Sequence, residues 1–158
     1  MAVTLRPAGP DDRELFLAVY ASTREEELAQ ATWAEGQKEA FLRQQFEAQD
    51  RFYRENYPGA LFQVILRDGA PAGRLYVHHR ANEIRLMDIA LLPEHRNAGI
   101  GTALLGDLFA EATAARKSLT IHVEKFNPAL RLYERLGFRQ IADKGVYVLM
   151  EWKPEGSS

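Results

Sequence analysis

The stretch Arg96-Asn97-Ala98-Gly99-Ile100-Gly101 stands between two segments of different periodicity. Before it, Asp88-Ile89-Ala90-Leu91-Leu92 is a short apolar run stopped by Pro93, which reads as a strand. After it, Leu104, Leu105, Leu108, Phe109 and Ala112 recur at helical spacing between Thr102 and Ala115. Glycines at such a junction let backbone N–H groups approach a ligand closely. The first turn of the helix adds unpaired N–H donors and a positive dipole end. A pyrophosphate fits this cradle on physical grounds; a plain tight turn is the other reading of the same residues.

Two named glycine loops can be tested. A P-loop needs Lys-Ser or Lys-Thr after its last glycine, whereas Gly101 is followed by Thr102-Ala103. A dinucleotide fold needs a third glycine near Leu104 and an acid at the end of the next strand, where Glu124 stands. The element order decides between these readings.

Val3 to Arg6 reads as a first strand. Pro10 and Asp11 open a helix to about Ala21, with Leu15, Phe16, Val19 and Tyr20 on one face. A second helical region runs from about Arg24 to Tyr57, interrupted near Gly36 and ended by Pro58-Gly59. Strands at Leu61–Arg67, Ala72–His79 and Ile84–Leu92 are separated by short reversals. The central helix, a strand at Leu119–Glu124, a helix opened by Asn127-Pro128 and ended at Gly137, and strands at Phe138–Ala142 and Val146–Trp152 complete the order. Three consecutive strands joined by short turns argue an antiparallel meander, against the βαβ repeats of a dinucleotide fold. The expectation is α+β: one domain over residues 1–153 with a mixed, mostly antiparallel sheet flanked by helices on both faces, and a loose polar tail over 154–158.

Composition sets further bounds. Hydrophobic content is 46%, charged content 27% and net charge −2 over 158 residues. That is an ordinary soluble domain with no general attraction for nucleic acid or an acidic membrane. The chain has no cysteine, so disulfides, thiolate metal sites and a cysteine nucleophile are excluded. No leader-like or bilayer-length apolar run is read, and a cytoplasmic location is the expectation.

With the elements placed, the chain resembles the GCN5-related N-acetyltransferase (GNAT) superfamily. Two motifs carry the resemblance. One is Ile89-Ala90-Leu91-Leu92-Pro93-Glu94-His95-Arg96-Asn97-Ala98-Gly99-Ile100-Gly101-Thr102; the other is Asn127-Pro128-Ala129-Leu130-Arg131-Leu132-Tyr133-Glu134-Arg135-Leu136-Gly137-Phe138. The resemblance implies transfer of an acetyl group from acetyl-CoA to an amine acceptor, by direct attack in a ternary complex and without a metal. It gives the amides of Asn97, Ala98, Gly99, Ile100, Gly101 and Thr102 to the CoA pyrophosphate, with the charge of Arg96 nearby. Ile89 and Leu91 would offer backbone groups to the pantetheine arm, lying beside the strand like an added strand. An N–H near Ile89 or Ala90 would stabilise the thioester oxygen during attack.

Tyr133 matches the superfamily's general acid. A phenol near ~10 is reasonably matched to a thiol near ~8.5. On an amphipathic helix beside Leu130, Leu132 and Leu136, the same tyrosine is also readable as half-core. Asn127 matches a cofactor-contacting position and is also a plausible helix cap.

The general base is not specified. The superfamily often uses a carboxylate on the strand before the glycine loop, and at the commonest such place this chain has Arg85. Glu83, Asp88, Glu124 and His122 remain. Asp88 and Glu124 are weak candidates with structural alternatives, and a water chain is a further one. His78-His79 point to opposite faces of a strand and cannot jointly chelate. The acidic, aromatic region from Ser22 to Tyr57 would suit a cationic amine; a solvated helix face explains the same charges. A non-catalytic acyl-CoA-binding or regulatory module, an enzyme for a different acyl-CoA, and a homodimer implied by the superfamily alone complete the expectations.

Overall fold

The elements follow the punctuation of the sequence. The computed structural model describes residues 1–156. β1 (Val3–Pro7) passes through a 3-10 turn at Pro10–Asp12 into α1 (Arg13–Leu28) and α2 (Gln37–Asn56). β2 (Leu61–Arg67), β3 (Ala70–His79) and β4 (Glu83–Leu91) follow. Next come α3 (Ile100–Ala115), β5 (Ser118–Glu124), α4 (Ala129–Arg135), β6 (Arg139–Asp143) and β7 (Tyr147–Trp152). The seven strands lie in the order β1-β2-β3-β4-β5-β7-β6. β4 and β5 pair in parallel, while β1–β2, β5–β7 and β6–β7 pair antiparallel. This is the α+β sheet expected from the element order. Of the tail at 154–158, Pro154 is buried, and Ser157 and Ser158 lie outside the described residues.

The chain divides into two compact units: Met1–Tyr76 with Asp88–Ile100, and Val77–Met87 with the residues from Gly101 onward. In the first unit, α1 buries Phe16, Val19, Tyr20 and Leu28, and α2 buries Leu42 and Phe46. Their contacts centre on Tyr76 of β3, which is 1% exposed. Phe16, Tyr53 and Phe62 each meet its ring edge-on, with centroids 5.6, 5.8 and 4.8 Å away. Such T-shaped contacts place positive ring edges against negative faces.

α1 is longer than its sequence pattern suggests. The periodicity ends near Ala21 and resumes at Arg24, yet the helix runs unbroken to Leu28. Ser22 Oγ and Thr23 Oγ1 donate to the Val19 and Tyr20 carbonyls at 2.7 and 2.6 Å. These hydroxyls bond back along the helix instead of capping a new one.

In the second unit, α3 contributes the buried Leu104, Leu105, Leu108 and Ala112, and β5 contributes Leu119, Ile121 and Val123. Phe109 packs on Trp152 at 4.4 Å and on Phe138 at 5.8 Å. α4 ends with Phe138 N–H donating to the Tyr133 carbonyl at 3.0 Å and Gly137 N–H to the Glu134 carbonyl at 3.1 Å. That pair of bonds is the Schellman closure of a helix.

Two backbone features fix the first unit. A Cβ on Gly73 would sit 2.1 Å from the Ala90 carbonyl oxygen and 3.0 Å from Leu91 Cα, so only glycine permits this approach of β3 to β4. Arg6 grips Asp12 through two hydrogen bonds of 2.9 Å, and Gly9 N–H donates to the same carboxylate at 2.8 Å. The Arg6 bond, then the Gly9 amide, holds the Asp12 carboxyl down at about 2.

Gly73→Ala is expected to force β4 away at Ala90 and destabilise the fold by about 1–3 kcal/mol, seen as a lower Tm. Asp12 is expected to contribute stability at neutral pH, because its folded-state value lies below its unfolded one. That contribution fades as pH falls from about 4 through 2. The Tm gap between the parent and Arg6→Gln should therefore be widest above pH 5 and shrink in acid.

Candidate functional site

β4 changes character along its length. Ile84, Arg85 and Leu86 are buried, and the parallel ladder with β5 pairs Glu83–Leu86 with Ser118–Ile121. From Met87 to Leu91 the strand is half-buried, although Ile89, Ala90 and Leu91 are apolar. Half-exposed apolar residues with backbone groups beyond a ladder are a strand available for pairing. Leu92 N–H is already used, donating to the Ala72 carbonyl at 2.8 Å. Arg96 folds back on the strand: its Nε donates to the Leu91 carbonyl at 3.0 Å and its Nη2 to Ser22 Oγ at 3.1 Å.

The glycine loop has the geometry of a cradle. Asn97 and Gly99 take left-handed φ values of 59° and 83°, and α3 starts directly afterwards at Ile100. The N–H groups of Ile100, Gly101, Thr102 and Ala103 then have no intrahelical acceptor. A Cβ added at Gly99 or Gly101 would meet no atom within 4 Å. Unpaired donors facing open space match what a diphosphate requires.

The second unit holds the other sequence candidates. Tyr133 on α4 is 6% exposed and meets Phe138 edge-on at 5.5 Å. Asn127 Oδ1 accepts the Ala129 N–H at 2.9 Å, so this side chain does cap α4 and keeps its amide NH₂ facing outward from that bond. Glu124 is exposed at the end of β5.

Arg85, at the superfamily's usual carboxylate position, is a buried bracket. Its Nε donates to Thr120 Oγ1 at 2.8 Å, its Nη2 to Glu83 Oε1 at 3.0 Å, and its Nη1 meets His122 Nδ1 at 3.3 Å. Glu83 also takes Arg80 Nη1 at 3.0 Å, so two guanidinium groups neutralise it. A guanidinium always donates, so Nδ1 of His122 must be the acceptor and Nε2 carries the proton of the neutral ring. Burial, then the Arg85 charge, pushes the His122 imidazole below its ordinary value. Neutral and protonated at Nε2, it is a donor to its surroundings and not a base. Of the four candidates, Asp88 and Glu124 are left.

Asp88 belongs to a cluster that the sequence reading missed. Arg74 on β3 is 2% exposed. Its Nη2 donates to Asp88 Oδ2 at 2.6 Å and to Gln49 Oε1 at 3.0 Å. The guanidinium lies 5.1 Å from the Tyr76 ring centroid and 5.8 Å from that of Tyr20. Burial works against the Arg74 charge, but Asp88 and the tyrosines outweigh it and raise its pKa. Burial lifts the Tyr76 phenol to about 12 and pushes Tyr53 higher still, with Asp88 adding to both. Arg74 Nε, Arg74 Nη1 and the Tyr76 hydroxyl have no hydrogen-bond partner. The available signal was one arginine inside the apolar run of β3, flanked by Ala72, Leu75 and Val77.

His78 and His79 separate as alternation requires. His78 Nδ1 accepts from Arg80 Nε at 3.0 Å, while His79 contacts Glu111. Among the described residues no three metal-ligating side chains gather.

The acetyltransferase (GNAT) family model matches residues 20–138. A Bacillus subtilis (strain 168) protein with the provisional name ribosomal protein bS18-alanine N-acetyltransferase is 30% identical over 115 residues, which is 65% of this chain and 76% of the relative. The fold matches that of PaiA N-acetyltransferase from Thermoplasma acidophilum, a structure in complex with coenzyme A. The TM-score is 0.72 at 20% identity, covering 97% of this chain and 99% of that one. It also matches the ribosomal-protein-S18-alanine N-acetyltransferase of Escherichia coli, with a TM-score of 0.62 at 21% identity over 99% and 97% of the two chains. The glycine cradle, the half-exposed strand before it and the family match over most of the chain agree, and the protein belongs to the GNAT acetyltransferase family.

Proposed function

We propose that the protein transfers the acetyl group of acetyl-CoA to an amine by direct attack. The observation that carries this reading is the continuous segment from Ile89 to Thr102. A half-exposed strand with backbone groups on offer leads into a left-handed turn, and the turn into free helical N–H groups. An acyl carrier with an amide-bearing arm and a diphosphate needs both features in that order. The backbone of Ile89 and Leu91 takes the arm, and the amides from Asn97 to Thr102, with Arg96 alongside, take the diphosphate.

The chemistry then asks three things of the chain. An N–H at Ile89 or Ala90 stabilises the charge that grows on the thioester oxygen. The amine nitrogen forms the new C–N bond as the C–S bond breaks, and the leaving thiolate takes a proton from the Tyr133 hydroxyl. The nitrogen gives up its own proton to water or to a nearby carboxylate, Asp88 or Glu124. Asn127, with its Oδ1 committed to the helix cap, offers its amide NH₂ to the cofactor. With no cysteine in the chain, an acetyl-cysteine relay is excluded. The amine acceptor is a small molecule or a protein amino terminus; the names carried by the Bacillus and Escherichia relatives make an alanine-ended peptide a natural member of any test panel.

Incubation with acetyl-CoA and a panel of amines, read by release of free thiol, is expected to give amine-dependent turnover. Tight CoA binding with no thiol release across the panel would instead favour a binding module. Tyr133→Phe should slow turnover by about 100-fold or more while CoA affinity stays nearly constant. Unchanged turnover removes Tyr133 from the mechanism. Gly99→Glu should abolish CoA binding by filling and charging the cradle, and normal affinity in calorimetry would refute the placement.

A further inference from the structure

Arg74 is difficult to explain as a stabilising residue. Its side chain is 3% exposed, yet Nε and Nη1 meet no acceptor, and the neighbouring Tyr76 hydroxyl is also unpartnered. Buried donors left unmade cost free energy, and buried ion pairs are commonly no better than apolar side chains of the same shape. What the guanidinium does accomplish is local. Through Nη2 it holds Asp88 Oδ2 at 2.6 Å, and Gln49 of α2 fixes the same nitrogen from the other side at 3.0 Å.

Asp88 is the outer end of this pair. Its side chain is 16% exposed, against 3% for Arg74. Its second oxygen, Oδ1, makes no hydrogen bond to the described residues. A buried cation behind a rim carboxylate forms a dipole whose negative end faces outward. Asp88 also immediately precedes Ile89, Ala90 and Leu91 on β4. The outward oxygen is therefore carried by the residue next to the stretch assigned to the thioester arm.

We infer that Asp88 is the docking carboxylate for the acceptor's ammonium ion, through Oδ1, and that Arg74, buttressed by Gln49, is the positioning residue that holds it there. The inference rests on the acetyl-transfer reading and adds an acceptor class to it: compact cationic amines with no carboxylate beside the nitrogen. Alaninamide, or a peptide amino terminus, is favoured over free alanine, whose own carboxylate is repelled by Oδ1.

The test combines turnover with direct binding. Wild type, Asp88→Asn, Arg74→Lys and Arg74→Met are assayed by thiol release with alaninamide and alanine, and by calorimetric titration of each amine into the protein with CoA present. Asp88→Asn turns its amide oxygen to Arg74 and its NH₂ to the acceptor. It should raise the KM and Kd for alaninamide by about tenfold or more, with kcat and CoA affinity changed little. Arg74→Lys should fall between wild type and Arg74→Met, because an ammonium can reach Asp88 without also holding Gln49. Arg74→Met should keep or raise Tm while losing amine affinity; should it fail to fold, Asp88→Asn and Arg74→Lys carry the test. Unchanged amine affinity in Asp88→Asn overturns the inference, as does a loss confined to kcat with a shifted pH profile, which would make Asp88 a proton acceptor. Asp88-dependent amine binding without any thiol release leaves the docking role standing and sinks acetyl transfer. Turnover that prefers alanine to alaninamide sinks the acceptor class alone.

Discussion

The approach of Gly73 to Ala90 is the constraint on which the rest depends. A backbone that admits no Cβ at 2.1 Å from a carbonyl oxygen fixes β4 against β3 at the place where β4 is half-exposed. Beyond Leu86 the ladder with β5 has ended, so β3 must supply the rigidity. With the strand held from one side, its remaining backbone groups stay available for a ligand arm. The same residue that clears space for the strand thereby presets the spacing between Ile89 and the glycine turn.

Polar groups are treated differently along the chain. Arg85 is buried and uses each guanidinium nitrogen, on Thr120, Glu83 and His122. Arg74 is buried more deeply and uses one. A fully satisfied buried network stiffens a structure, whereas an under-satisfied one signals a use other than stability. Aromatic packing of Phe16, Tyr53 and Phe62 around Tyr76 encloses the second network and offsets its unmade bonds.

Much of this was legible in the sequence, for local reasons. The glycine loop, the helix that follows it and the cap at Asn127 are set by residues within a few positions of one another. Strand and helix order, and the match to the family, follow from the same short-range signals. The length of α1 was misread because Ser22 and Thr23 look like a cap until their hydroxyls are seen bonding backward. Gly73 and Arg74 were not singled out, because their meaning lies in partners across the sheet and on α2. Arg74 meets Asp88 fourteen residues later and Gln49 twenty-five residues earlier, separations at which no periodicity operates. The sequence could name Asp88 as a carboxylate; only the fold supplies the cation behind it.

One strand carries Asp88, Ile89, Ala90 and Leu91 in succession, and Gly73 forbids it to slide. It acts as a fixed ruler with both substrates read from the same edge. Descendants of this chain that accept a longer acyl group or a bulkier nucleophile would have to trim or swap individual side chains, because shifting the register for one partner would misalign the other.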